Sequence, residues 1–288
     1  MANADEQSGG TPMDAQALQA FRAEVIARKN LPTIPTVLAK IVRLTEAEGV
    51  GSKELVDVVE HDQALTAKIL RLANSAFFGQ TRRVATIPRA VVLLGFTTVR
   101  NLALGVKVWE TLGGGLARPR LEELWVHAVT VAVAGKWMTA RLRGGDPDEA
   151  FTAGLLHDVG RLVMAMRLGD VYWKTLAAGA DQPVEALESG TFGIDHAEVG
   201  SWMLEAWSLP PGIVEGVRQH HTAGLGAGVP GVVATANRLV GWTDLSSRTC
   251  RPEAAGTFEQ LAEHGITPEA WAGVLAGMRG DGLLAVSG

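Results

Sequence analysis

The sequence predicts an all-α fold, and two observations along its 288 residues support that prediction. Apolar residues recur at intervals of three and four positions through most of the chain, which is the spacing of one helix face. No segment shows the strict apolar–polar alternation of a half-exposed strand. A hydrophobic content of 47% and a charged content of 20% are typical of a folded globular protein.

The N-terminal part of the chain is predicted to be a succession of helices separated by proline and glycine. Residues 1–13 are small and polar, and a disordered tail is expected there. Helix starts are predicted near Asp14 and Thr36, on either side of the break at Pro32 and Pro35. Further starts are predicted at positions 52 and 62, where Ser and Asp are suitable capping residues, and at Thr86–Pro88, where proline falls in the first turn. Residues 14–112 are therefore assigned to an N-terminal helical lobe.

A run of three glycines at 113–115 is the clearest hinge in the sequence. Beyond it, residues 116–243 are assigned to a second helical lobe, and residues 244–288 to short helices or a tail. Within the second lobe, Asp146 precedes Pro147 and two further acids, which is a strong helix-start pattern. Helix starts are also predicted at Asp195, at Pro210–Pro211 and near Pro230.

The stretch from Phe151 to Val163 is predicted to be the middle of one buried helix, yet it contains His157 and Asp158. Burying an imidazole and a carboxylate costs several kcal/mol unless they are paired, hydrogen-bonded or bound to a metal. Adjacent residues project about 100° apart on a helix. On that geometry Asp158 is placed to bridge two ions, while His157 serves only one.

Five of the seven histidines lie between residues 127 and 221, and each is on a separate predicted helix except the last pair. Histidines from facing helices can converge on one cavity of a bundle, and imidazole with carboxylate suits Zn, Fe, Mn or Ni. A buried histidine is also often only a hydrogen-bonded core residue. The five are His127, His157, His196, His220 and His221.

Composition and short sequence patterns exclude several classes of protein. A net charge of −5 argues against a nucleic-acid-binding protein. The longest apolar runs, such as Ala90–Phe96, are far shorter than the ~20 residues of a membrane span. No signal-peptide pattern is present at the N-terminus, and the single Cys250 excludes an internal disulfide. These observations favour a cytoplasmic protein with no membrane partner.

Several short motifs, in a consistent order over roughly residues 20–221, resemble the HDOD domain, an HD-related output domain of bacterial signalling proteins. That resemblance implies two packed helical lobes, the second of them HD-like, and a role in signal transduction. The wider HD superfamily comprises metal-dependent phosphohydrolases, and the histidine series is similar to its metal ligands. The motifs are Leu31–Pro35, Glu60–Leu65, Leu70–Ser75, Ala90–Gly95, Gly154–Gly160 and Phe192–Gly200.

Three departures from the superfamily pattern weaken an enzymatic interpretation. HD phosphohydrolases usually close the metal site with a later aspartate, whereas the best positional counterpart here is Asn237, a weak neutral ligand. Arginine occupies position 161 where the family tends to have lysine, and Arg161 is a phosphate contact at most. The Gly-Tyr-Pro motif of cyclic-dinucleotide phosphodiesterases does not follow the His220–His221 pair.

The resemblance therefore implies a metal set of His127, His157, Asp158, His196, His220 and His221, with Asn237 as a weak member. The expected cofactor is a divalent ion (Fe, Mn, Zn, Ni or Mg) at partial occupancy, or none. Alternatives remain for some residues. His220 and His221 end a predicted helix, where its dipole stabilises any cation. Asp195 and Glu198 are interpreted as a structural capping box.

The leading functional hypothesis is a non-catalytic signalling or scaffolding module that binds other signalling proteins or a small ligand through a partial metal site. The alternative is a metal-dependent phosphohydrolase acting on a nucleotide or cyclic dinucleotide. A third hypothesis, a nucleotide-sensing domain without chemistry, differs from the first only in its ligand. A thermal-shift screen separates that pair, since a bound nucleotide raises the melting temperature.

Overall fold

The computed structural model describes residues 15–27, 36–46, 52–74, 83–114, 116–226, 228–241, 243–244, 249–250 and 252–277. Within these ranges the chain is helical apart from the connecting turns and two strands of two residues each, which confirms the all-α class. The predicted tail at 1–13 and the Leu31–Pro35 motif lie outside the described residues.

The first six helices follow the predicted breaks closely. Gly95 separates α5 from α6 with a φ of +88°, a backbone angle that favours glycine. They are α1 (Ala15–Ala27), α2 (Thr36–Glu46), α3 (Ser52–Glu60), α4 (Gln63–Ala73), α5 (Ile87–Leu94) and α6 (Phe96–Gly113).

The next eight helices, with the turns that follow them, carry the five candidate histidines. The last of them begins at Gly228, two residues before Pro230, and so earlier than the prolines of the sequence indicate. They are α7 (Arg118–Leu142), α8 (Pro147–Leu156), α9 (Val159–Leu168), α10 (Asp170–Ala178), α11 (Val184–Phe192), α12 (His196–Ala206), α13 (Pro211–Arg218) and α14 (Gly228–Gly241).

The C-terminal part contains short elements that pack against α7 and α14. Strand β1 (Thr243–Asp244) pairs antiparallel with β2 (Thr249–Cys250), and α15 (Ala255–Leu261) and α16 (Pro268–Gly277) follow, each preceded by a 3-10 or turn segment. Strands this short cannot show a period of two, which is why the sequence pattern missed them. Trp271 of α16 is fully buried and donates its indole N–H to Thr243.

Three of the predicted helix caps are confirmed. The side chain of Asp62 accepts a hydrogen bond from the backbone N of Leu65 at 3.0 Å. Asp146 accepts from two backbone N–H groups in the first turn of α8, at 2.7 and 2.9 Å. Asp195 accepts from the backbone N of Glu198 at 2.9 Å. Each cap satisfies donors that a helix start otherwise leaves unpaired.

Helix α6 connects the helices of the two predicted lobes. It packs against α2, α4 and α5, and also against α8 and α9. The indole N–H of its Trp109 donates to the carbonyl oxygen of Leu155 at 2.9 Å, deep in the core. The division into lobes at 14–112 and 116–243 stays a prediction, and α1, which packs against α12, is a second contact between them.

None of the described helices is both long enough and apolar enough to cross a membrane.

Candidate metal centre

His157 and Asp158 lie in a turn between two helices, so the prediction that they sit mid-helix is wrong. Helix α8 ends at Leu156 and α9 begins at Val159. Asp158 has φ −94° and ψ 6°, and this ψ interrupts the helical hydrogen-bond ladder. As a result the Nε2 atom of His157 and the Oδ1 atom of Asp158 lie only 3.6 Å apart. Both side chains therefore serve one cluster.

In each of three buried histidines the Nδ1 atom contacts a hydrogen-bond acceptor. His157 Nδ1 donates to the Gly154 carbonyl at 2.7 Å, and His220 Nδ1 donates to the Val217 carbonyl at 2.6 Å. His196 Nδ1 contacts a carboxylate oxygen of Glu188 at 2.5 Å. Because these acceptors cannot donate, Nδ1 must carry the proton in all three rings, and the rings of His157 and His220, when neutral, present an Nε2 lone pair on their other side.

The Oδ1 atom of Asp158 lies among those three Nε2 atoms. Its distances are 3.1 Å to His196, 3.6 Å to His157 and 3.9 Å to His220. The Nε2 of His196 also lies 3.2 Å from that of His220 and 3.0 Å from that of His221. The cluster thus combines several lone pairs with one carboxylate, and it draws these side chains from the ends of α8, α12 and α13.

His127 and Asn237 complete the cluster on the other side. His127 Nε2 lies 2.9 Å from Asn237 Oδ1, and its ring centroid is 5.1 Å from that of His157. Helix α14 thereby brings Asn237 to α7. All the predicted site residues therefore lie close together. Among the described residues there are two groups of three, and within each group the ligand atoms lie within 4.8 Å of one another. These groups are His127, His157 and Asp158, and His196, His220 and His221.

The prediction omitted Glu188, which is fully buried on α11. One of its carboxylate oxygens contacts Nδ1 of His196 and accepts from the His196 backbone N at 2.8 Å. The other accepts from the Tyr172 hydroxyl at 2.6 Å. A sequence signal existed, because Glu188 is four residues from both Val184 and Phe192, on the apolar side of its helix.

Arg161 lies beside the cluster on α9. Its Nη1 atom is 3.2 Å from Oδ2 of Asp158, and its buried Nε atom has no hydrogen-bond partner within the part of the chain that the structure describes. The guanidinium also neighbours the Tyr172 hydroxyl. Arg161 therefore contacts the cluster through its Nη1 atom.

Burial and charge give the histidines opposite protonation states. Burial lowers the pKa of His157 to about 3, although Asp158 opposes the shift. Burial and the neighbouring His221 hold the pKa of His220 well below its usual value. For His196, burial is outweighed by Glu188 and Asp158, and its pKa is raised to about 10. Without a metal, His196 is an imidazolium between two carboxylates while its neighbours are neutral.

We expect chelator-treated protein to be most stable near pH 6.5. The pKa of His196 is higher in the folded chain than in the unfolded one, so its stabilisation is present below pH 6.5 and is lost as the pH rises towards 10. The pKa of His157 is lower when folded, so its contribution is present above pH 6.5 and is lost as the pH falls towards 3.

Melting temperatures at about pH 5, 6.5 and 9 measure this profile. His196→Gln is the control, since it removes the group responsible for the alkaline loss and should flatten that limb. A wild-type melting temperature that rises steadily through the alkaline range would contradict the assignment.

The residues present fit a divalent ion. The buried Nε2 atom of His157 has no hydrogen-bond partner among the described residues, so its lone pair is available to a metal. Nδ1 atoms bound to a carboxylate or a carbonyl are the usual support of metal-ligating histidines. Imidazole nitrogen and carboxylate oxygen suit Zn, Fe, Mn or Ni.

Comparisons with known proteins agree with this arrangement. The HDOD domain model matches residues 31–223. A provisionally assigned phosphohydrolase from Shewanella amazonensis SB2B has 28% identity and a TM-score of 0.69, over 90% of this chain and 96% of that one. An HDOD domain protein of unknown function from Geobacter sulfurreducens has 27% identity and a TM-score of 0.65, over 78% of each chain.

A curated relative aligns with about two thirds of this chain and is itself a longer protein. An uncharacterised protein of Treponema pallidum (strain Nichols) is 27% identical over 199 residues, which are 67% of this chain. The chain spans only 38% of the length of that relative. Since the domain model covers well over half of the residues, and its matched range includes the helical turn that carries His157 and Asp158, this chain belongs to the HDOD domain family.

Proposed function

We propose that this HDOD domain is a metal-binding signalling module that binds a protein partner or small ligand and does not hydrolyse phosphate esters. The observation that carries the proposal is the convergence of histidine Nε2 atoms on Asp158, with the amide Asn237 in contact instead of a second acid. Membership of a family of output domains supports the signalling role.

In this proposal His127, His157 and Asp158 hold one ion, and His196, His220 and His221 hold a second. A bound divalent ion would supply positive charge that attracts an anionic ligand or orders the helices that bear its ligands. The protein contributes orientation, because the Nδ1 contacts hold the rings of His157, His196 and His220 in place.

Most carboxylates beside the cluster are already engaged, which argues against hydrolysis, and the exception is Glu185, 3.6 Å from Nδ1 of His221. Asp158 is engaged by His196 and Arg161, and both oxygens of Glu188 are occupied. Asn237 contributes an amide, which cannot accept a proton at ordinary pH. A general base needs a free acceptor within hydrogen-bond reach of the proton that it removes. We therefore expect no turnover of cyclic dinucleotides, nucleotides or phosphomonoesters by metal-loaded protein, and turnover at ordinary enzyme rates would overturn the non-catalytic part of the proposal.

Replacing Asn237 with aspartate tests the proposed role of the amide. The new carboxylate adds negative charge beside His127, so we expect Mn²⁺ affinity to rise on the order of tenfold, measured by calorimetry. Asn237→Ala is the matched control and should bind no more tightly than the wild type. Weaker binding by the aspartate variant would contradict a metal at this end of the cluster.

A metal-dependent phosphohydrolase is the second candidate, because Asp158 Oδ1 lies close to members of both ligand groups. The 28% identical Shewanella protein is provisionally assigned as a phosphohydrolase, which also favours it. Arg161 would then contact the phosphate. Elemental analysis with and without chelator tests the ion shared by both candidates, and the turnover assay separates them. A thermal-shift screen of nucleotides then distinguishes a small ligand from a protein partner.

A further inference from the structure

A chain of contacts links the cluster to two side chains that are not among the metal-ligand candidates. Asp158 Oδ1 lies 3.1 Å from Nε2 of His196, and Nδ1 of His196 lies 2.5 Å from Glu188. Glu188 in turn accepts from the hydroxyl of Tyr172 at 2.6 Å. Glu188, Tyr172 and His196 are all buried, and they come from three successive helices, α10, α11 and α12.

We propose that Glu188 is a positioning residue that fixes the ring orientation of His196 and strengthens its Nε2 atom as a metal ligand. This inference rests on the metal-binding function proposed above. A carboxylate that accepts the distal N–H of a ligating imidazole holds the ring in one tautomer and makes the ligand nitrogen more basic.

Glu188 differs from the supports of the neighbouring histidines. Gly154 and Val217 offer backbone carbonyls only three residues from His157 and His220, so helix geometry alone provides those contacts. His196 begins its helix, so the residue three positions earlier, Gly193, lies outside α12 and caps the end of α11. A side chain from another helix must replace it, and Glu188 does so with one oxygen on both the ring and the backbone N of His196.

Tyr172 holds Glu188 in that position. Its hydroxyl occupies the carboxylate oxygen that faces away from His196, so rotation of the carboxylate would break a buried hydrogen bond. The aromatic ring packs against Trp173 and Phe192, which restrains the hydroxyl. The glutamate is therefore fixed at both oxygens before any ion binds.

The experiment compares Glu188→Gln and Glu188→Leu by Zn²⁺ affinity and by ¹⁵N spectra of the histidine rings. Glutamine keeps an acceptor but loses the charge, so we expect a slowly exchanging His196 Nδ1–H and a loss of affinity of about tenfold. Leucine removes the acceptor, so we expect a larger loss of affinity and no protected Nδ1–H. Glu198→Gln is the matched control, because it removes an exposed acid two residues from His196 and should match the wild type.

The two readouts separate the positioning role from the metal site itself. If the wild type binds no Zn²⁺, the proposed function fails, while the Nδ1–H signal still tests Glu188 in metal-free protein. If both variants keep the wild-type affinity, or if the leucine variant keeps the protected Nδ1–H, the inference is overturned. Should the leucine variant fail to fold by circular dichroism, the affinity of the glutamine variant decides.

Discussion

Replacing Gly160 with alanine is expected to destabilise the protein severely and to disrupt the cluster. A Cβ atom at this position would overlap the backbone carbonyl oxygen of His196 and stand 2.8 Å from the Gly200 nitrogen. Overpacking costs about 1–3 kcal/mol when side chains can yield, and here the obstacle is backbone. We expect a loss at or above the upper end of that range, and a fall in melting temperature on the order of 10 °C.

Gly190→Ala is the matched control for that substitution. Gly190 lies in α11 with nothing within 4 Å of its Cβ position, so alanine there should be neutral or stabilise by about 0.5–1 kcal/mol. Thermal unfolding of both variants, followed by circular dichroism, measures the difference. If Gly160→Ala had the same melting temperature as the wild type, the close approach of α9 to α12 would be contradicted.

Replacing Asp158 with asparagine is expected to remove most bound metal, since it deletes the carboxylate at the centre of the ligand set. Elemental analysis should find less than about a tenth of the wild-type metal content. The substitution also breaks the contacts of Asp158 with His196 and Arg161. Leaving buried charges unpaired costs about 3–5 kcal/mol, so the variant should also melt earlier without metal.

Two further variants separate the loss of metal from the loss of fold. Asp181→Asn removes an exposed carboxylate and should retain both metal and stability. His220→Gln removes one Nε2 ligand and leaves the contacts of Asp158 with His196 and Arg161 in place, so it should lose metal with a smaller fall in melting temperature. Full metal content in Asp158→Asn would exclude this carboxylate as a ligand.

Much of the helical architecture could be predicted because its signals are local. Proline, glycine and capping residues depend only on neighbours within a few positions, and Asp62, Asp146 and Asp195 cap helices as predicted. The family resemblance rests on short motifs of the same kind, and the HDOD match confirms it. The candidate ligands could be selected by type, because a histidine or aspartate in an apolar stretch needs a partner.

The turn at His157–Asp158 shows where local signals were insufficient. The apolar residues around it have helical spacing on both sides, so one continuous helix was the natural prediction. The break is accompanied by the approach of Gly160 to the His196 carbonyl, a contact between residues 36 positions apart. Periodicity within one helix contains no information about a neighbouring helix.

By itself the sequence determined the all-α class, the helix caps, the HDOD family and the residue types that converge on the candidate site. Only the tertiary structure decided which atoms face the cluster, that Glu188 and Tyr172 support His196, and that Asn237 contacts His127 across 110 residues. The physical reason is the distance along the chain over which each interaction acts. Capping and periodicity act within a helical turn or two, whereas ligand orientation depends on how separate helices cross, and close packing of the whole core sets those crossings.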